Sequence, residues 1–266
     1  MTCTQAYRLV FLVSVLWLLP MRSQAEPALV SEAPHWCDFA KANLDQTSGA
    51  PFVCLADKQR CIRMNNYGCT KNSSRVPYPG QVIASNGMPV TDVDRHALYS
   101  EPKWSLLKSI EVLHRYYTHF GKRSALAIAE IWSPWCDTNG SKQVHNGWGR
   151  TCRDGPGPAP ASFTGPRCAI PVGGRPLKGQ CGPCNCPSEA AEFYLRGSGK
   201  TVTDDAGLFD TQGEPLPALG PFLRQVITEE LGSRPKLALV QDAISTYSLC
   251  AKDPYQPQCA ASPRTP

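Results

Sequence analysis

The sequence predicts a mainly α-helical, disulfide-rich domain that carries a long insertion of Gly, Pro and Cys. Three observations lead to this prediction. Several segments place apolar residues at the three- and four-residue spacing of an amphipathic helix. An export signal precedes twelve cysteines, an even number, since only Cys3 of the thirteen lies within it. Residues 151–187 are dominated by Gly, Pro and Cys, a composition that excludes regular helix or central strand over most of that stretch.

The first 25 residues have the features of a signal peptide. Arg8 precedes the apolar run 9–19, which is too short to span a bilayer, and 23–25 (Ser-Gln-Ala) supplies small residues for cleavage. We therefore expect a secreted or periplasmic protein that begins near Glu26 and has no membrane span after cleavage. Loss of Arg8 and Arg22 lowers the formal net charge from +5 to +3 (5 minus 2). This charge is too small and too scattered to predict a nucleic-acid partner.

The most regular helical pattern lies between residues 100 and 132. Ser100 is placed to cap a helix that has Pro102 in its first turn and ends at Gly121. A second helix is expected from a cap at Ser124 to Trp132, and the two should pack as an antiparallel hairpin. The inward apolar positions are Leu106, Ile110, Leu113, Tyr117 and Phe120 on the first helix and Leu126, Ile128 and Ile131 on the second.

Other segments complete a single helical domain, residues 26–250, which is followed by a Pro-rich tail, 251–266. Helices are predicted over Cys37–Leu44, from Pro187 onward, over Pro217–Leu231 with Gly232 as the stop, and over Pro235–Leu249.

A polar turn lies between two cysteines in the segment Cys61–Cys69, whose sequence is CIRMNNYGC. Asn65 and Asn66 suit such a turn, because Asn tolerates the left-handed region and bonds nearby backbone. Gly68 is expected to take a positive φ. One interpretation is a purely structural turn held by cysteines, and the other is a ligand-binding turn.

The order of motifs around this turn resembles a phage structural-protein family with an Asn-Asn-Asn-Pro-Gly-Asn motif, a Pro-Glu-Trp-Gly helix start and a later Arg-Trp-Ala-Pro. The turn is also similar to the Asn-Asn-x-Phe-Gly motif of lysozyme-like glucosaminidase domains, with Tyr67 in the Phe position. The resemblance covers residues 60–140 and, more loosely, 217–235, and the cysteines and the insertion depart from it. The matching positions are Arg63, Asn65, Asn66, Gly68, Tyr99, Pro102, Trp104, Trp132 and Pro134.

The resemblance implies a lysozyme-like fold that binds peptidoglycan glycan and could hydrolyse it. The catalytic Glu of the glucosaminidase domains has no counterpart between Cys37 and Cys61 in this sequence. Asp45 is the acid nearest to the expected position. Glu230 matches a Glu on a late helix of the phage family and is the other candidate acid. A sugar cleft also needs amides and aromatic rings, so the candidate substrate-binding residues are Asn65, Asn66, Tyr67, Trp132 and Trp135. The expected partner is cell-wall glycan or another envelope component.

Disulfides are expected for every cysteine of an exported chain. Two alternatives remain for the insertion. One is a zinc site formed by Cys168, Cys181, Cys184 and Cys186. The other is a thiol-redox site at Cys181-Gly-Pro-Cys184, although no strand precedes that motif as redox sites require. No cofactor and no metal is predicted, since the five histidines lack metal-ligand spacing. A non-catalytic, disulfide-stabilised structural or interaction protein is the other functional hypothesis. The expected disulfide cysteines are Cys37, Cys54, Cys61, Cys69, Cys136, Cys152, Cys168, Cys181, Cys184, Cys186, Cys250 and Cys259.

Overall fold

A computed structural model describes residues 32–54, 60–72, 77–92, 95–133 and 187–252. The expected signal peptide, Cys136, nearly all of the Gly/Pro/Cys-rich insertion with its cysteines, and the tail after residue 252 with Cys259 lie outside the described residues. Within the described residues, no helix has the length and apolar character needed to cross a membrane.

Helices dominate the described part of the chain, so the mainly α-helical class is confirmed there. One π-helical segment, Arg115–His119, continues α3, and two short strands, β1 (Leu44–Gln46) and β2 (Ser233–Pro235), pair with each other. The helices are α1 Trp36–Asn43, α2 Arg60–Arg63, α3 Pro102–His114, α4 Ala125–Trp132, α5 Pro187–Tyr194, α6 Leu219–Leu231 and α7 Leu237–Lys252.

The main core forms around α3, whose Leu106, Ile110 and Leu113 are fully buried, as the sequence predicts. Ile128 of α4 is also fully buried, while Leu126 is half-buried against the same core. The predicted hairpin is wrong in its packing partners, however. α3 packs chiefly against α7, and α4 packs against α5. Apolar periodicity identifies which residues face inward, but it does not identify the element that covers them.

Three further predictions about this region are wrong. Ser100 does not cap α3: Glu101 occupies the N-cap position, and the Ser100 hydroxyl donates to the Gly80 carbonyl at 3.1 Å. Phe120 was expected in the buried stripe but is 49% exposed, because the wider turn of the π-helical segment shifts the stripe after Tyr117. Ile131, also expected to face inward, is 37% exposed. The predicted cap at Ser124 is confirmed, since its hydroxyl accepts the Ala127 N–H at 3.2 Å.

A two-stranded antiparallel ribbon ties the N-terminal part of the domain to the connection between α6 and α7. Asp45 pairs with Arg234 in the middle of the ribbon. Gly232 ends α6 with a φ of 58°, and its N–H donates to the Thr228 carbonyl, as expected for a glycine stop. The strands are only three residues long, too short to show an alternating pattern in the sequence.

Two disulfides are described in full. Cys37 pairs with Cys54, and Cys61 pairs with Cys69 across the polar turn. Cys250 is also disulfide-bonded. These bridges confirm the expectation of disulfides for the five cysteines of the described residues.

Candidate functional site

The polar turn follows α2 and is held by the side chain of Asn66. Its amide donates to the carbonyls of Thr70 at 2.8 Å and Ala97 at 2.9 Å. Its Oδ1 accepts the Thr70 N–H at 2.9 Å and the Thr70 hydroxyl at 3.1 Å. Asn66 has no exposed surface, so all of this bonding is internal. The side chain therefore joins the turn to the extended segment that leads into α3.

The rest of the turn is pressed against α3. Asn65 has a φ of 52°, in the left-handed region that Asn tolerates, and its amide donates to the Tyr99 and Ser100 carbonyls. Gly68 does not take the predicted positive φ; among its neighbours it is Cys69 that does. Glycine is needed at this position for a different reason. A Cβ on Gly68 would lie 1.9 Å from the Ser109 hydroxyl, so only glycine lets the backbone approach α3 this closely.

Asn65, Asn66 and Tyr67, three of the candidate glycan-binding residues, have no exposed surface. A glycan could reach them only if the turn left α3. Burial raises the pKa of the Tyr67 phenol far above its usual range. The backbone N–H of Tyr67 donates to Ser105 Oγ at 2.9 Å. The geometry supports the structural interpretation of the turn and places it away from any open surface.

The two candidate acids belong to the region where the ribbon meets α6. Asp45 interacts electrostatically with Arg224, and Glu230 interacts with the phenol of Tyr194 on α5. Asp45 lies in the middle of the two-stranded ribbon, and Glu230 lies in the last turn of α6.

Of the two candidate tryptophans, Trp135 lies outside the described residues. Trp132 is the last residue of α4, half-buried, with its ring edge-on to Tyr116 at 6.5 Å between centroids. Tyr116 belongs to the π-helical segment. Trp132 thus takes part in packing α4 against that segment.

The structure shows an open pocket that the sequence did not predict, at the end of the π-helical segment. Its volume is about 280 Å³. The pocket combines two cations, two carboxylates, a phenol and a phenyl ring. The lining residues are Tyr117, Arg123, Lys200, Asp205, Gly207, Phe209, Asp210, Thr211 and Leu216.

Asp205 is the centre of the polar side of this pocket. Its Oδ1 accepts one hydrogen bond from the Tyr117 hydroxyl and a second from the Gly207 N–H at 2.8 Å. The Asp205 Oδ2 lies 3.6 Å from Arg123 Nη1, and the backbone carbonyl of Asp205 accepts a hydrogen bond from Lys200 Nζ at 2.7 Å. Arg123 also lies over the Tyr117 ring, 5.3 Å from the centroid. Ion pairing and hydrogen bonding together therefore hold the Asp205 carboxylate in place.

Residues 207–216, which we call the pocket loop, form the other wall. Asp210 closes its turn, since its Oδ1 accepts the N–H groups of Gln212 at 2.9 Å and Glu214 at 2.8 Å. The Leu216 N–H donates to the Leu208 carbonyl at 2.9 Å, so the two ends of the loop lie side by side. Phe209 belongs to this loop, and its side chain is buried, with its ring centroid 5.7 Å from that of Tyr117.

The protonation states of the pocket follow from these contacts. Burial of Asp205 would raise its pKa, but the Tyr117 hydroxyl, the Gly207 N–H and the two cations outweigh it, and the pKa is lowered. Burial and the neighbouring Asp205 raise the pKa of Tyr117 to about 12. At neutral pH the pocket therefore presents an ionised carboxylate and a protonated phenol. Among the described residues, no group of three or more His, Cys, Asp or Glu side chains could hold a metal ion.

The sequence contains part of the information that could have located this pocket. Thr203-Asp-Asp-Ala-Gly and Asp210-Thr-Gln-Gly are turn sequences with carboxylates, which often mark functional loops. Tyr117, in contrast, fits the apolar stripe of α3 and was predicted as a core residue only. The π-helical turn that directs it to Asp205 has no recognisable sequence signature.

Comparisons of the chain with models of protein families, with curated proteins and with solved structures found no match.

Proposed function

We propose that the protein is an envelope or secreted protein that binds a polar glycan, peptidoglycan in particular, and that the open pocket beside Asp205 receives the sugar. The supporting observation is the pocket itself, whose lining combines ionised, hydrogen-bonded side chains with the edges of two largely buried aromatic residues, Tyr117 and Phe209. Sugar sites need such planar polar groups for hydroxyls together with apolar surface for the ring. The expected signal peptide would direct the protein to the compartment that contains peptidoglycan. We also propose that the fold is related to that of lysozyme-like domains.

The charges and size of the pocket favour an uncharged sugar unit. Arg123 and Lys200 are balanced by Asp205 and Asp210, so no net charge selects an anionic ligand. The volume of about 280 Å³ lies near the lower end of ligand pockets, which span about 300 to 1,000 Å³. We therefore expect the pocket to hold one sugar unit of a longer chain.

Binding is proposed in preference to hydrolysis because of the protonation state of Asp205. A glycosidase needs a proton donor with a raised pKa, whereas the pKa of Asp205 is lowered. Asp205 is thus suited to accept hydrogen bonds from hydroxyls. Hydrolysis is tested separately, by measuring muropeptide release with the wild type and with Glu230→Gln.

The test is cosedimentation of the purified protein with peptidoglycan sacculi. Arg123→Ala removes an exposed guanidinium from the pocket, and we expect it to weaken binding by about tenfold, the loss of one charge-assisted hydrogen bond. Arg196→Ala is the matched control, because Arg196 is also exposed and also lies over a ring, that of Phe193, away from the pocket. Its binding should equal the wild type.

A second variant blocks the pocket without removing a charge. Thr211→Trp places a large ring at an exposed position of the lining, and Thr203→Trp places the same ring at an exposed position outside it. We expect only the first to abolish binding. Wild-type protein that leaves sacculi unbound would refute the proposal and favour the structural or interaction-protein hypothesis, and equal binding by both Thr variants would refute this pocket as the site.

A further inference from the structure

We propose that His114 makes the pocket loop sensitive to pH, holding the loop in place when neutral and loosening it when protonated. The effect on the loop stands on the geometry of His114 alone, and only the consequence for glycan binding rests on the proposed function.

His114 is the last residue of α3 and lies behind the pocket loop. Its ring is edge-on to Phe209 at 5.0 Å and tilted to Tyr247 of α7 at 5.9 Å between centroids. A Cβ on Gly213 would lie 2.6 Å from His114 Nε2. Gly213 has a φ of 83°, so the turn of the loop is built to rest directly on the imidazole.

Phe209 connects this contact with the pocket. It lines the pocket, and it also packs against Tyr117, which bonds Asp205. A displacement of Phe209 or of the turn at Gly213 would therefore change the pocket wall. His114 touches both of these points of the loop and contributes nothing to the lining itself.

The surroundings of His114 oppose a positive charge. Burial lowers its pKa, and the charge of Glu111, one turn earlier on α3, offsets this only in part. The other titratable groups on the elements packed against it are Tyr247 of α7, whose ring contacts His114, and Asp210 and Glu214 of the pocket loop, of which Glu214 acts electrostatically on Tyr247. A histidine with a lowered folded-state pKa binds fewer protons folded than unfolded, so its contribution to stability is complete above the unfolded pKa of 6.5 and is lost as the pH falls below it. We expect protonation to loosen the contact between the His114 ring and the pocket loop.

Amide hydrogen exchange measures the loop without any ligand. The informative amides are those of Asp210, Gly213, Glu214 and Leu216, all hydrogen-bonded within the loop. Between about pH 7.5 and pH 5 we expect their protection factors to fall by at least about threefold in the wild type. His114→Gln, which stays neutral, should remove this fall. His119→Gln is the matched control, since His119 is exposed on the π-helical segment, and it should behave as the wild type.

Glu111→Gln is the second variant and remains informative if His114→Gln does not fold. It removes the charge that supports protonation of His114 and so lowers the folded-state pKa further, and the fall in protection between about pH 7.5 and pH 5 should therefore become deeper. A fall that is absent, that persists in His114→Gln, or that is no deeper in Glu111→Gln would overturn the proposal.

Sacculus binding at the same two pH values separates the two proposals. Weaker binding at about pH 5 in the wild type, but not in His114→Gln, supports both. Loop protection that depends on His114 in a protein that binds sacculi at neither pH would refute the glycan proposal and leave the role of His114 intact. Binding that stays constant while the loop loosens would refute the link between the loop and the pocket.

Discussion

Replacement of Asn66 by Ala distinguishes a structural turn from a binding turn. The change deletes all four hydrogen bonds of the amide group. Thr70 O retains the Ala97 N–H at 3.1 Å, and Thr70 Oγ1 retains the Tyr99 hydroxyl at 3.2 Å. Among the described residues, the Thr70 N–H and the Ala97 carbonyl bond only the Asn66 side chain, and both lose that hydrogen bond. Two buried backbone groups are therefore left unsatisfied.

Each unsatisfied buried group costs roughly 1 to 3 kcal/mol, so Asn66→Ala should lower the free energy of unfolding by about 2 to 6 kcal/mol. Urea denaturation followed by tryptophan fluorescence under oxidising conditions measures this directly. Asn86→Ala is the control, because Asn86 is exposed and accepts a single bond from the Met88 N–H, and it should cost less than about 1 kcal/mol.

A loss below about 1 kcal/mol for Asn66→Ala, together with lost sacculus binding, would refute the structural account of the turn. Asn66→Asp supplies a second measurement. It keeps the acceptor for Thr70 but places a carboxylate oxygen against the Thr70 and Ala97 carbonyls. We therefore expect a large loss at neutral pH that becomes smaller at acidic pH, where the protonated carboxyl can donate once.

Three further predictions concern stability. Leu113→Ala should cost about 2 to 5 kcal/mol in urea denaturation, because Leu113 is fully buried; a loss below about half a kcal/mol would contradict its place in the core. Replacing Cys61 and Cys69 together by Ala opens a bridge with a sequence separation of 8 and should cost about 2 to 3 kcal/mol, and an unchanged denaturation midpoint would show that the turn closes without it. Burial of Asp92 would raise its pKa, but hydrogen bonds from His96 and the charge of Arg60 lower it below 3.8, so its contribution to stability is present above pH 3.8 and lost as the pH falls through the lower folded value. Asp92→Asn should therefore flatten the acid limb of a plot of unfolding free energy against pH, and an identical limb would contradict this assignment.

Prediction from the sequence succeeded where a single local pattern decides the structure. The ends of α4 and α6 follow from a capping serine and a glycine stop, and the burial of Leu106, Ile110 and Leu113 follows from helical spacing. Helix pairing, the three-residue ribbon and the π-helical turn depend on contacts between distant segments, which no local pattern contains. For the same reason the sequence located the polar turn but left open whether the turn is structural or binds a ligand.

The π-helical segment at the end of α3 explains why this helix faces the core along most of its length and borders the pocket only at its end. Along α3 the inward stripe is buried on all sides, while Ser105 and Ser109 receive the polar turn. A regular helix would continue that stripe to Phe120. The wider turn instead leaves Phe120 exposed and brings the Tyr117 hydroxyl to Asp205. One helix thus supports a buried, disulfide-closed turn along its length and borders a charged pocket at its end, where His114 and Tyr117 both contact Phe209.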